Sequence, residues 1–78
     1  MEISEKVILI VAETFEIPIE DVSLDTAPSN TSAWDSFGQM ALVLNIEKAF
    51  NIVLEFEEIF EIVSTQTLVD LVKEKINQ

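Results

Sequence analysis

The stretch Trp34-Asp35-Ser36-Phe37-Gly38-Gln39-Met40-Ala41-Leu42-Val43-Leu44-Asn45-Ile46-Glu47-Lys48-Ala49-Phe50 decides the fold. Its spacing predicts a helix from about Ser36 to Phe50, with Asp35 as a strong N-cap, since a carboxylate there accepts from an amide of the first turn. At about 100° per residue, Leu42, Val43, Ile46, Ala49 and Phe50 fall on one apolar stripe. Phe37, Met40, Ala41 and Leu44 form a second stripe on the roughly opposite side. A small bundle buries one stripe of each helix easily. Two stripes mean that the helix is surrounded, that Phe37 and Leu44 pack under a loop, or that one stripe faces solvent as an interaction surface. Met40 suits the last case, because a flexible thioether adapts to several partners.

Working outward, Ile3, Val7, Ile8, Val11, Ala12 and Phe15 recur at helical spacing, with Glu5, Lys6, Glu13 and Glu16 opposite. This predicts a first helix from Ser4, as N-cap, to Glu16. Pro18 is expected to end it, because the residue before a proline is pushed out of the helical region. An irregular stretch then runs from about Ile17 to Trp34, with Ile17, Ile19, Val22 and Leu24 expected to tack it down. After the second helix, a short third covers Glu57 to Glu61. A fourth runs from Thr65 to Asn77, capped by Ser64 or Thr65, with Leu68, Val69, Val72 and Ile76 inward and Asp70, Lys73, Glu74 and Asn77 outward. No segment reads convincingly as a strand. The fold class is therefore all-α, a four-helix bundle with a long first loop. Residues 1–78 form one domain with a core of Val11, Phe15, Leu42, Val43, Ile46, Phe50, Leu68 and Val72.

Composition excludes several functions. Fifteen acidic residues against four lysines give a formal net charge of -11, which repels a phosphate backbone and rules against nucleic-acid partners. The same charge suits a partner with a basic patch, and equally keeps a small apolar domain dispersed. With no His and no Cys, Ser-His-Asp and Cys-His catalysis, zinc-cysteine sites and disulfides are all impossible, and the chain reads as a non-enzyme. A single Gly excludes a glycine-rich phosphate loop. Asp21, Ser23 and Asp25 match the start of an EF-hand loop, but Thr26 stands where Gly is needed and Ser32 where Glu is needed, so no metal site is expected. The cluster Glu55, Glu57, Glu58 and Glu61 reads as a solvated acidic face. No apolar run approaches the roughly 20 residues of a membrane span, and the acidic start lacks the basic opening of a signal peptide. The expectation is a cytoplasmic monomer without stable membrane insertion.

The segment Trp34-Asp35-Ser36-Phe37 resembles the Asp-Ser-Leu signature of acyl carrier and peptidyl carrier proteins, with Phe37 in the leucine position. Ile46-Glu47-Lys48-Ala49-Phe50-Asn51-Ile52 resembles that family's Leu-Glu-x-x-Phe helix ending. Glu57-Glu58-Ile59 and Thr65-Gln66-Thr67-Leu68 are similar to its third-helix region and the start of its last helix. The order of elements matches as well, so the resemblance covers most of the chain.

The resemblance implies a carrier holding acyl intermediates as thioesters on a 4′-phosphopantetheine arm. A phosphopantetheinyl transferase would esterify that arm to Ser36, and Asp35 would cap the helix and help the transferase place a metal ion. An acyl-loading ligase or synthase and acyltransferases would be the later partners. They would dock on Phe37, Met40, Ala41, Leu44 and Glu47, supplemented by Glu55, Glu57, Glu58 and Glu61. A phosphodiester on Ser36 would lie at a helix N-terminus, where free amides and the helix dipole favour an anion. The chain has no thiol of its own, so an added arm would have to supply one.

Gly38 departs from the best helix formers by roughly 1 kcal/mol relative to Ala, a cost consistent with a close approach near the arm. Gln39, Ala41 and Lys48 dilute the acidity usual in the second helix of fatty-acid-synthesis carriers, which points to a dedicated lipid, polyketide or similar pathway. Two alternatives stay open: an aminoacyl carrier of the same fold, and a helical adaptor binding one partner without any arm.

Overall fold

Val7, Ile10, Val11, Ala12 and Phe15 share one side of helix α1, Ile3–Phe15, and all are buried. A computed structural model describes residues 2–77. Among them α2 spans Ser36–Phe50, α3 Phe56–Ile59 and α4 Thr65–Ile76, with 3-10 turns at Ile19–Asp21 and Pro28–Asn30. No strand occurs among the described residues, so the structure is the all-α bundle expected from the sequence. Helix α1 packs against both α2 and α4. Val7, Val11, Leu42, Ile46, Leu68 and Val72 meet at the centre, fully removed from water.

Helix α1 differs from expectation at both ends. Its N-cap is Glu2 rather than Ser4, with the Glu2 amide donating to Glu5 Oε1 at 3.4 Å and Ser4 Oγ donating to the Glu2 carboxylate. It stops before Pro18 can act, because Glu16 turns left-handed at φ 55° and the Ile17 amide closes back on the Ala12 carbonyl at 3.0 Å. Helix α2 ends the same way through Asn51 at φ 54°, a residue type that tolerates this region. Phe50, expected in the core, is only half-buried. Lys6 lies over its ring at 5.0 Å and donates to the Ala49 carbonyl at 3.2 Å. In α4, Leu71 is buried while Ile76 is exposed, so the inward stripe ends a turn early.

The long loop is fastened less by aliphatic side chains than by backbone polarity. Val22 is buried and Ile17 half-buried, but Ile19 and Leu24 are exposed. The Thr26 carbonyl instead accepts from both the amide and the hydroxyl of buried Thr65, each at 2.8 Å, and the Leu24 carbonyl accepts from the Gln66 amide at 3.0 Å. These are the first amides of α4, which no intrahelical acceptor can reach. Ser64 Oγ takes the next, from Thr67, at 3.1 Å. Asn30 folds the loop on itself, its Oδ1 accepting from the Ala27 amide and its Nδ2 donating to the Asp25 carbonyl.

The loop ends at Trp34, which is 2% exposed and stacked on Phe15 with centroids 5.2 Å apart. Gly38 makes this possible. A Cβ at that position would lie 2.2 Å from the Ala33 carbonyl oxygen and 2.8 Å from a Phe15 ring carbon. The close approach at Gly38 is therefore to the loop and to α1, not to anything attached at Ser36.

Helix α3 begins one residue earlier than expected, at Phe56, and ends at Ile59 rather than Glu61. Glu58 ties it to α4 through Lys75 at 2.9 Å and accepts from the Glu55 amide at 2.7 Å. The Glu55 amide first, and Lys75 second, hold the Glu58 carboxyl below its ordinary value.

Gly38→Ala is expected to lower stability by about 2 kcal/mol, an overpacking cost of roughly 3 kcal/mol outweighing the roughly 1 kcal/mol gained in helix propensity. Urea denaturation checks the sign, which is opposite to that of an ordinary glycine inside a helix.

Candidate functional site

The start of α2 is built outward from the Trp34 anchor. With the indole fixed in the core, Asp35 leaves the loop in extended conformation, φ -97° and ψ -166°, and caps the helix. Its Oδ1 accepts from the Gly38 amide at 2.8 Å, and its carbonyl accepts from the Gln39 amide at 2.8 Å. The amides of Ser36 and Phe37 remain at the tip, pointing along the positive end of a fifteen-residue helix.

Ser36 is exposed in this first turn. Two other helices carry a hydroxyl in their first turn, and the comparison separates them. In α4, Thr65 is fully buried and donates to the Thr26 carbonyl, and half-buried Thr67 donates to the Ser64 carbonyl at 2.9 Å. Ser4 of α1 is half-buried and hydrogen-bonded to the Glu2 carboxylate, whose charge repels any phosphate. Ser36 alone among these hydroxyls combines an open position with unfilled amides on a long helix. A phosphate diester fits this position: it has room, two amide donors and a favourable dipole. The nearby Asp35 carboxylate opposes an anion, but its Oδ1 is already engaged with the Gly38 amide.

Around Ser36 the surface is apolar. Phe37 is 89% exposed, and Met40, Ala41 and Leu44 are exposed beside it, so the second stripe of α2 faces solvent and is not covered by the loop. Phe56 and Phe60 of the α3 region are 73% and 70% exposed and meet edge to face at 5.0 Å. A groove of about 330 Å³ runs between α2 and α3, lined by Ser36, Gln39, Met40, Phe56, Ile59, Phe60 and Ile62.

Two of the expected docking acids are committed elsewhere. Glu47 is half-buried and turns its Oε2 to the Leu54 amide at 2.9 Å, closing the turn after α2. Glu58 is occupied by Lys75 and the Glu55 amide. Glu55, Glu57 and Glu61 remain exposed and rim the α3 end of the apolar surface.

Sequence reasoning missed Gln39, Phe56, Phe60, Ile59 and Ile62 as site residues. The Phe56–Phe60 pair had a signal, an i, i+4 aromatic repeat inside an acidic run. Gln39 had none, because its partners lie on α3 and the following turn.

Residues 5–72 match the family model described as a phosphopantetheine attachment site. The chain is 30% identical to the acyl carrier protein of Petrotoga mobilis, over 97% of this chain and 89% of the relative. It is 36% identical to that of Cyanidium caldarium, over 97% and 88%. Its fold is similar to the solution NMR structure of a holo acyl carrier protein from Geobacter metallireducens, with a TM-score of 0.86 at 23% identity over 99% of this chain and 88% of that one.

Asp35→Ala removes the only side-chain cap of α2 and is expected to cost about 1 kcal/mol, while Asp35→Asn, which keeps the acceptor, costs only a few tenths. Chemical denaturation of the two variants checks this.

Proposed function

The chain belongs to the acyl carrier protein family, and from that premise we propose that Ser36 is the residue to which its phosphopantetheine arm is attached. The observation that carries this reading is the open Ser36 hydroxyl beside two free amides at the tip of α2. The protein is a non-catalytic carrier of acyl intermediates, and 4′-phosphopantetheine is its covalent cofactor. When attached, the arm supplies the thiol that the sequence lacks, and with it a thioester to the cargo.

The chain's own residues hold and present. Ser36 Oγ is the nucleophile for a separate phosphopantetheinyl transferase: it attacks the pantetheine-side phosphorus of coenzyme A, the pyrophosphate P–O bond breaks, adenosine 3′,5′-bisphosphate leaves, and the serine proton passes to a base of the transferase or to water. The Ser36 and Phe37 amides and the dipole of α2 would hold the anionic diester. Asp35 keeps that turn in shape, and its second carboxylate oxygen is free to help the transferase place its metal ion.

Residues 1–78 act as one carrier unit, as a cytoplasmic monomer. Among the described residues no helix is long and apolar enough to cross a membrane. The later partners are a loading ligase or synthase and acyltransferases. They meet the exposed stripe of Phe37, Met40, Ala41 and Leu44, with Glu55, Glu57 and Glu61 steering them. Because that stripe carries no outward acid, docking relies on apolar contact, which supports a specialised partner set in a dedicated pathway.

Incubation with coenzyme A, magnesium and a broad-specificity phosphopantetheinyl transferase is expected to add one phosphopantetheinyl mass to the intact chain and none to Ser36→Ala. Absence of the mass with several transferases would leave the adaptor reading. Asp35→Asn is expected to fold normally and load more slowly, separating the carboxylate's charge from its capping role.

A further inference from the structure

Gln39 lies one turn beyond Ser36 and is half-buried. Its Oε1 accepts from the Trp34 indole N–H at 2.5 Å. Its Nε2 donates to the Ile59 carbonyl at 3.0 Å and to the Ile62 carbonyl at 3.4 Å. The neighbours fix the orientation of this amide: reversed, its oxygen would face two carbonyl oxygens and its NH2 group would face an N–H. One side chain thus joins the core anchor of the loop to the last turn of α3.

That turn needs an external hold. Helix α3 has four residues, too few to persist through its own hydrogen bonds. Besides the Glu58–Lys75 pair toward α4, Gln39 is its side-chain hydrogen-bonded tie toward α2. Ile59, Phe60 and Ile62 form the α3-side wall of the groove beside Ser36, and Met40 stands on the α2 side. Ser36, Gln39 and Ile62 also line a second hollow of about 330 Å³, shared with Pro28, Trp34 and Asp35, so Gln39 borders both spaces next to the hydroxyl.

We propose that Gln39 is a positioning residue that sets the width of the groove at Ser36, by holding the end of α3 to Trp34. This deepens the carrier reading and rests on it. An arm on Ser36 would start at the groove's mouth and could fold its thiol end back against it, so the separation of the two walls would determine how much of an apolar cargo is covered.

The test uses the unmodified chain and the neutral dye N-phenyl-1-naphthylamine, which the acidic surface does not repel. Gln39→Met keeps the side chain's length and removes all three hydrogen bonds. It is expected to raise dye affinity about tenfold, the effect of losing roughly one net hydrogen bond. It is also expected to change the emission of Trp34, the chain's one tryptophan. Gln39→Glu keeps the acceptor for Trp34 but sets an oxygen against the two carbonyls. It is expected to give the dye gain with wild-type Trp34 emission, and it serves alone if Gln39→Met does not fold. Adding Met40→Glu puts a charge on the opposite wall and is expected to abolish the gain.

Wild-type dye affinity in a cooperatively folded variant, even one melting at lower temperature, would confine Gln39 to stability and overturn the proposal. A gain that survives Met40→Glu would overturn it too, since the dye would then lie elsewhere. Loading of Ser36, read by mass on the same samples, is independent of the dye result. Failure of the attachment reading and failure of the groove reading are therefore distinguishable.

Discussion

The Ala33 carbonyl oxygen occupies the space where any side chain at position 38 would begin, and this approach lets Trp34 stack on Phe15, the rings tilted by 29°. The rest of the site follows from that stack. The long connection between α1 and α2 has many conformations, and ordering it costs backbone entropy at every residue. A buried indole at its last position repays much of that cost, because aromatic burial is large and the paired rings add to it. Once Trp34 is fixed, Asp35 can reach only the first turn of α2, and Ser36 is carried outward as the first residue of the helix.

Helix ends are treated differently in the two halves of the molecule. At α4, loop carbonyls and Ser64 take the first amides, so that terminus is structural and closed. At α2, only the amides deeper than Phe37 are taken, by Asp35. The same backbone physics gives a sealed joint in one place and an anion-binding tip in the other. The surrounding surface agrees with that division. Acids are absent from the exposed stripe of α2 and gather at Glu55, Glu57 and Glu61, leaving an apolar approach to Ser36 with a negative rim.

The helices and the two apolar stripes of α2 were legible in the sequence because they rest on local spacing, whereas Ser36 was singled out by the resemblance of its flanks to a known family. Periodicity divided α2 into two stripes, and the structure exposes Phe37, Met40, Ala41 and Leu44 while it buries Leu42, Val43 and Ile46. What was not legible depends on contacts across the fold. Glu47 looked like a surface acid, yet it turns inward to an amide seven residues away. Glu58 looked free, yet Lys75 of α4 claims it. Trp34 read as the end of a loop, and only the shape of Phe15 and the missing Cβ of Gly38 show it as part of the core. Gln39 read as a dilution of charge, whereas its amide spans the gap between loop and third helix.

The central claim is that, of the hydroxyls in this chain, the fold offers Ser36 for attachment. Fragmentation of the intact modified chain in a mass spectrometer locates the added group directly. Every fragment containing Ser36 is expected to carry the phosphopantetheinyl mass and every fragment lacking it to be unmodified. The same mass on Ser4, Ser64 or any loop serine would contradict it, because the open tip of α2 would then not be what selects the site.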